Sequence, residues 1–376
     1  MKDISRINNP YNDDKLIGCC SIFGMMSVEG RTFSGSDIMT AIASMHDRGN
    51  GLGGGFAVYG LYPEYADHYA MHIMFMHSAA RRQVEDFLRD GFVIAKSERV
   101  PTRPVETVTD PPDIWRYFVN VKPSKSEATG EDDYIVRQVM EINTVMDGAY
   151  VFSSGKNLGV FKGVGFPEDI GRFFCLEDYE GYLWTAHGRF PTNSQAWWGG
   201  AHPFSILDWT VVHNGEISSY GINRRYLEMF GYTCTMHTDT EVIAYAVDLL
   251  MRRHSLPAEL LARVFSPPMW NMLQYMDPDD GELCKTLRQV YGSLLMNGPF
   301  TVVIAHRNEM VGLTDRVRLR PLVAGVKDDM LYLSSEESAI RLICPDLREC
   351  WSPIGGEPVI GRLGEPLAPS GRLAAA

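Results

Sequence analysis

Residues 19–26 read "CCSIFGMM", two adjacent cysteines followed by a small residue, two apolar residues and a glycine. The longer run "CCSIFGMMSV" is apolar enough for a buried strand. Buried cysteines mostly pack as small hydrophobes. A chemical role for Cys19 or Cys20 therefore depends on what the rest of the chain can bring beside them.

At 376 residues the chain can bury a sizeable core, as one large domain or two ordinary ones. Its 45% apolar and 22% charged content is that of a soluble globular protein. A formal net charge of −12, with no dense Lys/Arg run, argues against long phosphate contacts, so no nucleic-acid partner is expected. The 7 cysteines show no CxxC and no Cys/His spacing of a zinc site, and a reduced cytoplasm fits them best. "LIGC", ending at Cys19, resembles a lipoprotein cleavage box, but "MKDISRINNPYNDDK" before it is polar and lacks the apolar region that export needs. No apolar stretch approaches membrane-spanning length.

Outward from the strand, residues 1–19 read as a polar leader. "SGSDIMTAIASM" reads as a helix capped by Ser or Asp, with Ile38, Ile42 and Met45 on one face. "GNGLGG" matches the glycine spacing of dinucleotide-binding loops, but helix precedes it and strand follows, the reverse of what that motif requires; a loop allowing close backbone approach is expected instead. "FAVYGLY", "HYAMHIMFMH", "GYLWTAHGRF", "WTVVHNGEI", "FTVVIAH", "EMVGL", "PLVAG" and "LYLSS" read as strands, and "GAYVFSSGKNLGVFKG" as a hairpin. "VKPSKSEATGEDD" reads as a polar loop, and helical patterns occupy "AARRQVEDFLRD", "YIVRQVMEINTVM" and much of 223–295. Strands in meander-like pairs at both ends with helices between indicate a layered α+β fold. Residues 20–345 are expected to form one domain, with 346–376 a C-terminal tail that is Gly/Pro-rich and extended or poorly ordered after about 352.

Four short segments place polar groups beside strand-like sequence: "CCSIFG", "AHGRFPTN" around Arg189, "VVHNGEI" around Asn214 and "HTDTE" around Asp239. Their chemistry is complementary for an α-amino-acid amide. A carboxylate is best met by a bidentate guanidinium, and an ammonium by a carboxylate. A tetrahedral intermediate needs two preorganised donors, such as an Asn side chain and the next backbone N–H. A thiolate supplies the attack. Singly, each has a plainer explanation: Arg189 as a surface ion pair, Asn214-Gly215 as a hairpin turn, Asp239 as a helix-start residue. Yet Thr238 and Glu241 already fit the T-x-x-E capping box, which leaves Asp239 at the first helical position without a capping role.

Together these segments resemble the class II glutamine amidotransferases, whose mature chains begin Cys-Gly-Ile-x-Gly. Cys20-Ser21-Ile22-Phe23-Gly24 matches with Ser for the first Gly, which puts Cys20 in the nucleophile register and Cys19 in the leader. "MHDRGNGLGGG" resembles the family's HRG segment, with Asp47 intervening between His46 and Arg48. "AHGRFPTN" resembles the segment whose Arg and Thr hold the glutamine carboxylate, here Arg189 and Thr192. "AHPF" and "VVHNGEI" resemble the oxyanion segment, giving Asn214 and Gly215, and "TDTEVIAY" the segment whose Asp holds the ammonium, giving Asp239. "TDRVRLRPLVAG" places Arg320-Pro321-Leu322 at the family's L-R-P-L.

The resemblance implies a four-layer αββα N-terminal-nucleophile hydrolase sandwich of two mainly antiparallel sheets between helices. It implies that Cys20, freed by cleavage after Cys19, hydrolyses glutamine to glutamate and ammonia; the uncut chain is then an inactive precursor. No metal or cofactor is implied. The spacing from Cys20 to Arg189 and the "NGEI" sequence are most similar to the amidotransferase part of glutamate synthase, so a separate ammonia-accepting synthase subunit is the expected partner. Two alternatives stay open: a cysteine hydrolase of other amides, and a regulatory module that binds glutamine or a partner without turnover.

Overall fold

The computed structural model describes residues 20–127, 130–190 and 196–367. Among them, one antiparallel sheet runs in the spatial order β17 (Glu349–Trp351), β15 (Val323–Lys327), β16 (Met330–Ser334), β1 (Ser21–Ser27), β10 (Leu183–Gly188), β3 (Gly54–Tyr59), β8 (Leu158–Gly163). A second runs β11 (Phe204–Ile206), β12 (Trp209–Gly215), β13 (Phe300–His306), β14 (Glu309–Thr314), β18 (Val359–Arg362). A third, β5 (Phe92–Arg99), β6 (Asp113–Val121), β4 (Tyr69–Phe75), β7 (Ala149–Ser153), adjoins the second where β7 meets β11. The short strands β2 (Phe33–Ser34) and β9 (Glu180–Gly181) pair separately.

Stacking of the sheets follows from residues that are buried on both strand faces. Gly24 of β1 faces the second sheet: a Cβ there would stand 2.9 Å from Met310 Sδ and 3.3 Å from Val303 Cγ1. The opposite face of the first sheet is covered by α1 (Ser36–Ala43), α5 (Pro167–Phe173) and α10 (Glu337–Ile343). Neighbouring residues of β12 and β13 join different cores. Val212 and Val303 pack between the sheets, whereas Val211 and Val302 pack with Ile243 and Leu261 in the outer core. That outer side is closed by α6 (Tyr220–Glu228), α7 (Asp239–Val247), α8 (Ala258–Phe265) and α9 (Pro278–Tyr291), with α2 (Ser78–Gly91) and α4 (Glu131–Val145) over the third sheet. The result is an α+β sandwich, helix on sheet on sheet on helix, and double burial explains why its strands read as continuous apolar runs.

Several local expectations are corrected. The expected hairpin at 148–163 does not form: β7 pairs with β4, and β8 pairs with β3 in the other layer. The polar turn between them is pinned across the layers, where Ser154 Oγ accepts the Leu207 N–H at 3.0 Å and Asp208 Oδ1 accepts the Lys156 N–H at 2.6 Å. The residues set apart as a tail from 346 onward contribute β17 and β18, which pair with β15 and β14. Part of the 121–133 loop is the short helix α3 (Pro123–Ser126). Neither Ser nor Asp caps α1; Gly35 stands at that position, where a Cβ would lie 2.6 Å from Trp184 Cη2 and collide with the Leu176 carbonyl. The capping box at 238–241 is also not formed, since Glu241 accepts the N–H groups of Thr235 and Met236 rather than that of Thr238.

Candidate active site

Cys20 immediately precedes β1, and the pairing of Ser21 with Gly188 brings it beside the segment that follows β10. Its Sγ accepts the Phe190 N–H at 3.3 Å. Its carbonyl accepts Asn214 Nδ2 at 2.8 Å and Arg48 Nε at 3.3 Å, and Arg48 is in turn held by Glu336 at 2.8 Å. Segments distant in sequence thus fix Cys20: Asn214 and Arg48 its backbone carbonyl, and Phe190 its thiol. The other described cysteines, Cys175, Cys234, Cys284, Cys344 and Cys350, all have thiols pushed up by burial, the inert state expected of packed cysteines.

Alternation along β12 sends its polar residues to opposite sides. Asn214 reaches into the space between the sheets toward Cys20, whereas His213 Nδ1 lies 3.4 Å from Asp239 Oδ1 and 3.2 Å from Thr240 Oγ1 on α7. Asn214 and Gly215 lie within the strand, pairing with Thr301 and Phe300, so the hairpin-turn explanation fails. Because the Glu216 N–H donates to the Pro299 carbonyl, Gly215 and Phe300 form a non-hydrogen-bonded pair, and the Gly215 N–H points away from β13. Glycine is required here: φ is 149°, and a Cβ would collide with the Pro299 carbonyl.

Arg189 follows β10 and donates its N–H to the Gly53 carbonyl at 2.8 Å. The glycine-rich loop permits this close approach, since a Cβ on Gly53 would lie 2.9 Å from Arg189 Cδ. Burial lowers the basicity of the guanidinium, with Cys20 and Asp239 acting in the opposite direction. Asp239, at the first position of α7, accepts the Ile217 N–H at 3.0 Å. Burial would raise its carboxyl, but His213 and the N–H groups of Ile217 and Thr240 outweigh it and hold the carboxyl below its usual range. Cys20, Arg189, Gly215 and Asp239 line one cavity of ≈ 220 Å³. It is small beside the roughly 300–1,000 Å³ of drug-sized sites, as suits a single amino acid. His202, which lines the cavity, stacks on His187 with ring centroids 4.0 Å apart. Burial holds His187 down to about 3 and His202 well below its ordinary value, so both rings are neutral.

The structure thus brings together five of the expected residues, Cys20, Arg189, Asn214, Gly215 and Asp239; Thr192 and the leader 1–19 lie outside the described residues. Sequence reasoning assigned no role to His213, Thr240 or Glu336, whose contacts join segments far apart in the chain. Among the described residues no group of three or more His, Cys, Asp or Glu side chains is arranged to hold a metal ion, and no helix is long and apolar enough to cross a membrane.

Residues 64–346 match the family described as glutamine amidotransferases class-II. The chain belongs to the class-II glutamine amidotransferases. An uncharacterized protein of Archaeoglobus fulgidus is 57% identical over 354 residues, covering 93% of this chain and 94% of that one. A Methanothermobacter thermautotrophicus protein named "Putative glutamine amidotransferase" is 25% identical over 328 residues, covering 86% and 93%. Among solved structures, the glutamine phosphoribosylpyrophosphate amidotransferase of B. subtilis aligns at 15% identity with TM-score 0.46, over 91% of this chain and 47% of that one. Cys20 precedes the matched span.

Proposed function

We propose that this chain is the glutaminase component of a two-part synthase, in which Cys20 hydrolyses the glutamine side-chain amide and the ammonia passes to a separate glutamate synthase-like subunit. The observation that carries this reading is the meeting of Cys20, Arg189, Gly215 and Asp239 on one cavity. Cleavage between Cys19 and Cys20 frees an α-amine with a pKa of roughly 8, suited to take the proton of a thiol near ~8.5. Arg189, with Thr192, holds the substrate α-carboxylate, and Asp239 holds its α-ammonium.

The Cys20 thiolate attacks the amide carbon. The oxyanion is held by the Gly215 N–H and by the second N–H of the Asn214 amide, whose first is engaged by the Cys20 carbonyl. Collapse expels ammonia, the α-amine returning the proton, and water hydrolyses the thioester to glutamate. In a glutamine-dependent ammonia assay Cys20→Ala abolishes turnover, while Cys19→Ala, once processed, keeps it. Persistent turnover by Cys20→Ala rules the assignment out.

A further inference from the structure

Behind the two walls of the cavity lie two buried charges that this chemistry does not use. Lys162 of β8 is wholly buried, and its Nζ donates to the Gly199 carbonyl at 2.9 Å. The ammonium sits 4.4 Å from the Phe204 ring centre and 5.5 Å from that of Tyr150. Gly55, directly opposite on β3, makes room for it, since a Cβ there would lie 2.6 Å from Lys162 Cβ. The backbone that Lys162 fastens is the one behind the guanidinium: a Cβ on Gly200 would stand 3.5 Å from Arg189 Nη1.

Glu241, in the first turn of α7, is equally buried. Its Oε1 accepts the Thr235 N–H at 3.0 Å and the Tyr245 hydroxyl at 3.2 Å, and its Oε2 accepts the Met236 N–H at 2.9 Å. The next residues, His237 and Thr238, line the cavity beside Asp239, with His237 held at φ 52°. Burial pushes Lys162 down to about 7 and Glu241 up to about 7, and each partly offsets the other's shift across the interior. Two charges withdrawn from water cost more than an apolar pair of similar volume, so what they hold in place accounts for their presence better than the stability they add.

We propose that Lys162 and Glu241 are positioning residues for the amino-acid substrate: Lys162 fixes segment 196–200 behind Arg189, and Glu241 fixes segment 235–238 beside Asp239. The inference rests on the glutaminase reading of the cavity. Each residue then governs one end of the bound amino acid and leaves the nucleophile alone.

The test uses the processed protein and its Lys162→Met and Glu241→Gln variants. Losing one hydrogen bond from a charged group should raise KM for glutamine about 10- to 100-fold. The same variants should keep kcat within about threefold and the rate of Cys20 alkylation by iodoacetamide within about twofold, the split expected of lost substrate binding. Hydrogen exchange should quicken at 196–203 in Lys162→Met and at 234–238 in Glu241→Gln, each without the other. An unchanged KM, parallel losses in kcat and alkylation, or exchange that quickens evenly across the sandwich would overturn the inference. If the wild type does not turn over glutamine, the glutaminase reading fails; segment-specific exchange then decides the positioning role by itself, and its absence refutes that role.

Discussion

The two principal sheets face each other along their length, yet the two ends of the space between them are built differently. Away from Cys20, the interlayer is largely apolar: the Tyr59 hydroxyl meets the Asp208 carbonyl at 3.0 Å, Thr210 Oγ1 at 2.8 Å and the Ala305 carbonyl at 2.8 Å, while Thr185 Oγ1, opposite Gly24, is buried with no hydrogen-bond partner among the described residues. Near Cys20, His187 Nδ1, His202 Nδ1, His213 Nε2 and Asn214 Oδ1 are buried with no hydrogen-bond partner among the described residues. Glycine serves both ends, but differently. Gly24 lets the apolar sheets close on Met310 and Val303, whereas Gly55 admits the His202 backbone and the Lys162 stem. Native interiors rarely leave polar atoms open, and where they do, function is the usual reason. One end holds the sandwich together; the other gives up stability to keep polar groups available.

The sharpest way to break this comparison is at Asn214. Loss of a preorganised oxyanion donor costs about 10²–10³ in kcat, or roughly 2.7–4 kcal/mol, with a smaller change in KM. Asn214→Gly lacks the donor and Asn214→Asp adds repulsion, so correctly processed, folded protein of either kind should show that loss; near-normal turnover of Asn214→Gly would remove the residue from the chemistry. Next in size, Arg189→Ala or Asp239→Ala should weaken glutamine binding by about 1.5–3 kcal/mol, as loss of a charged hydrogen bond does. Simple amides lacking the α-groups should be nearly insensitive, and an equal loss on both substrate types would indicate damage to the fold.

The smallest effect separates the two ends by pH. The folded protein holds His187 down to about 3, while an unfolded histidine titrates near ~6.5. Between those values the unfolded state binds more protons, so stability is full above the unfolded value and falls as pH falls, by about 1.4 kcal/mol per pH unit for one such group. His187→Gln, which keeps a donor for the His213 carbonyl, should reduce that slope by about one proton in urea unfolding between pH 6 and 4. Val303→Ala in the apolar region should cost about 2 kcal/mol at either pH and leave the slope alone. Equal slopes for His187→Gln and wild type would mean that the polar end carries no such penalty.

What could be read from sequence follows the same division. Periodicity identified most strands, because a residue run buried on both faces is apolar whatever its partner. It does not say which sheet a strand joins, so β7 and β8 read as one hairpin although Leu207 and Asp208, some 50 residues on, pin the turn between layers. β17 and β18 escape a reading from sequence because each is short and half-buried at a sheet edge, without an apolar run, and the longer β5 and β6 escape it too, since polar residues interrupt both and β5 alternates buried and exposed positions at the edge of its sheet. At the site, Cys20, Arg189, Asn214 and Asp239 are legible as a set, because their chemistries complement one another for an amino-acid amide, although each singly has a plainer structural explanation. Arg48 holding the Cys20 carbonyl, His213 beside Asp239, and Lys162 under Gly199 arise only when strands of different layers meet. No local pattern marks them.

The central claim, that Cys20 becomes an N-terminal nucleophile, is tested most directly by treating active protein from its native host with a glutamine-analogue electrophile and measuring intact mass and the labelled site. The account predicts a chain beginning at Cys20, one adduct per chain, located on Cys20 Sγ and prevented by excess glutamine. An active chain that retains Cys19, or an adduct mapped to Cys19 or to any cysteine away from the cavity, would contradict it.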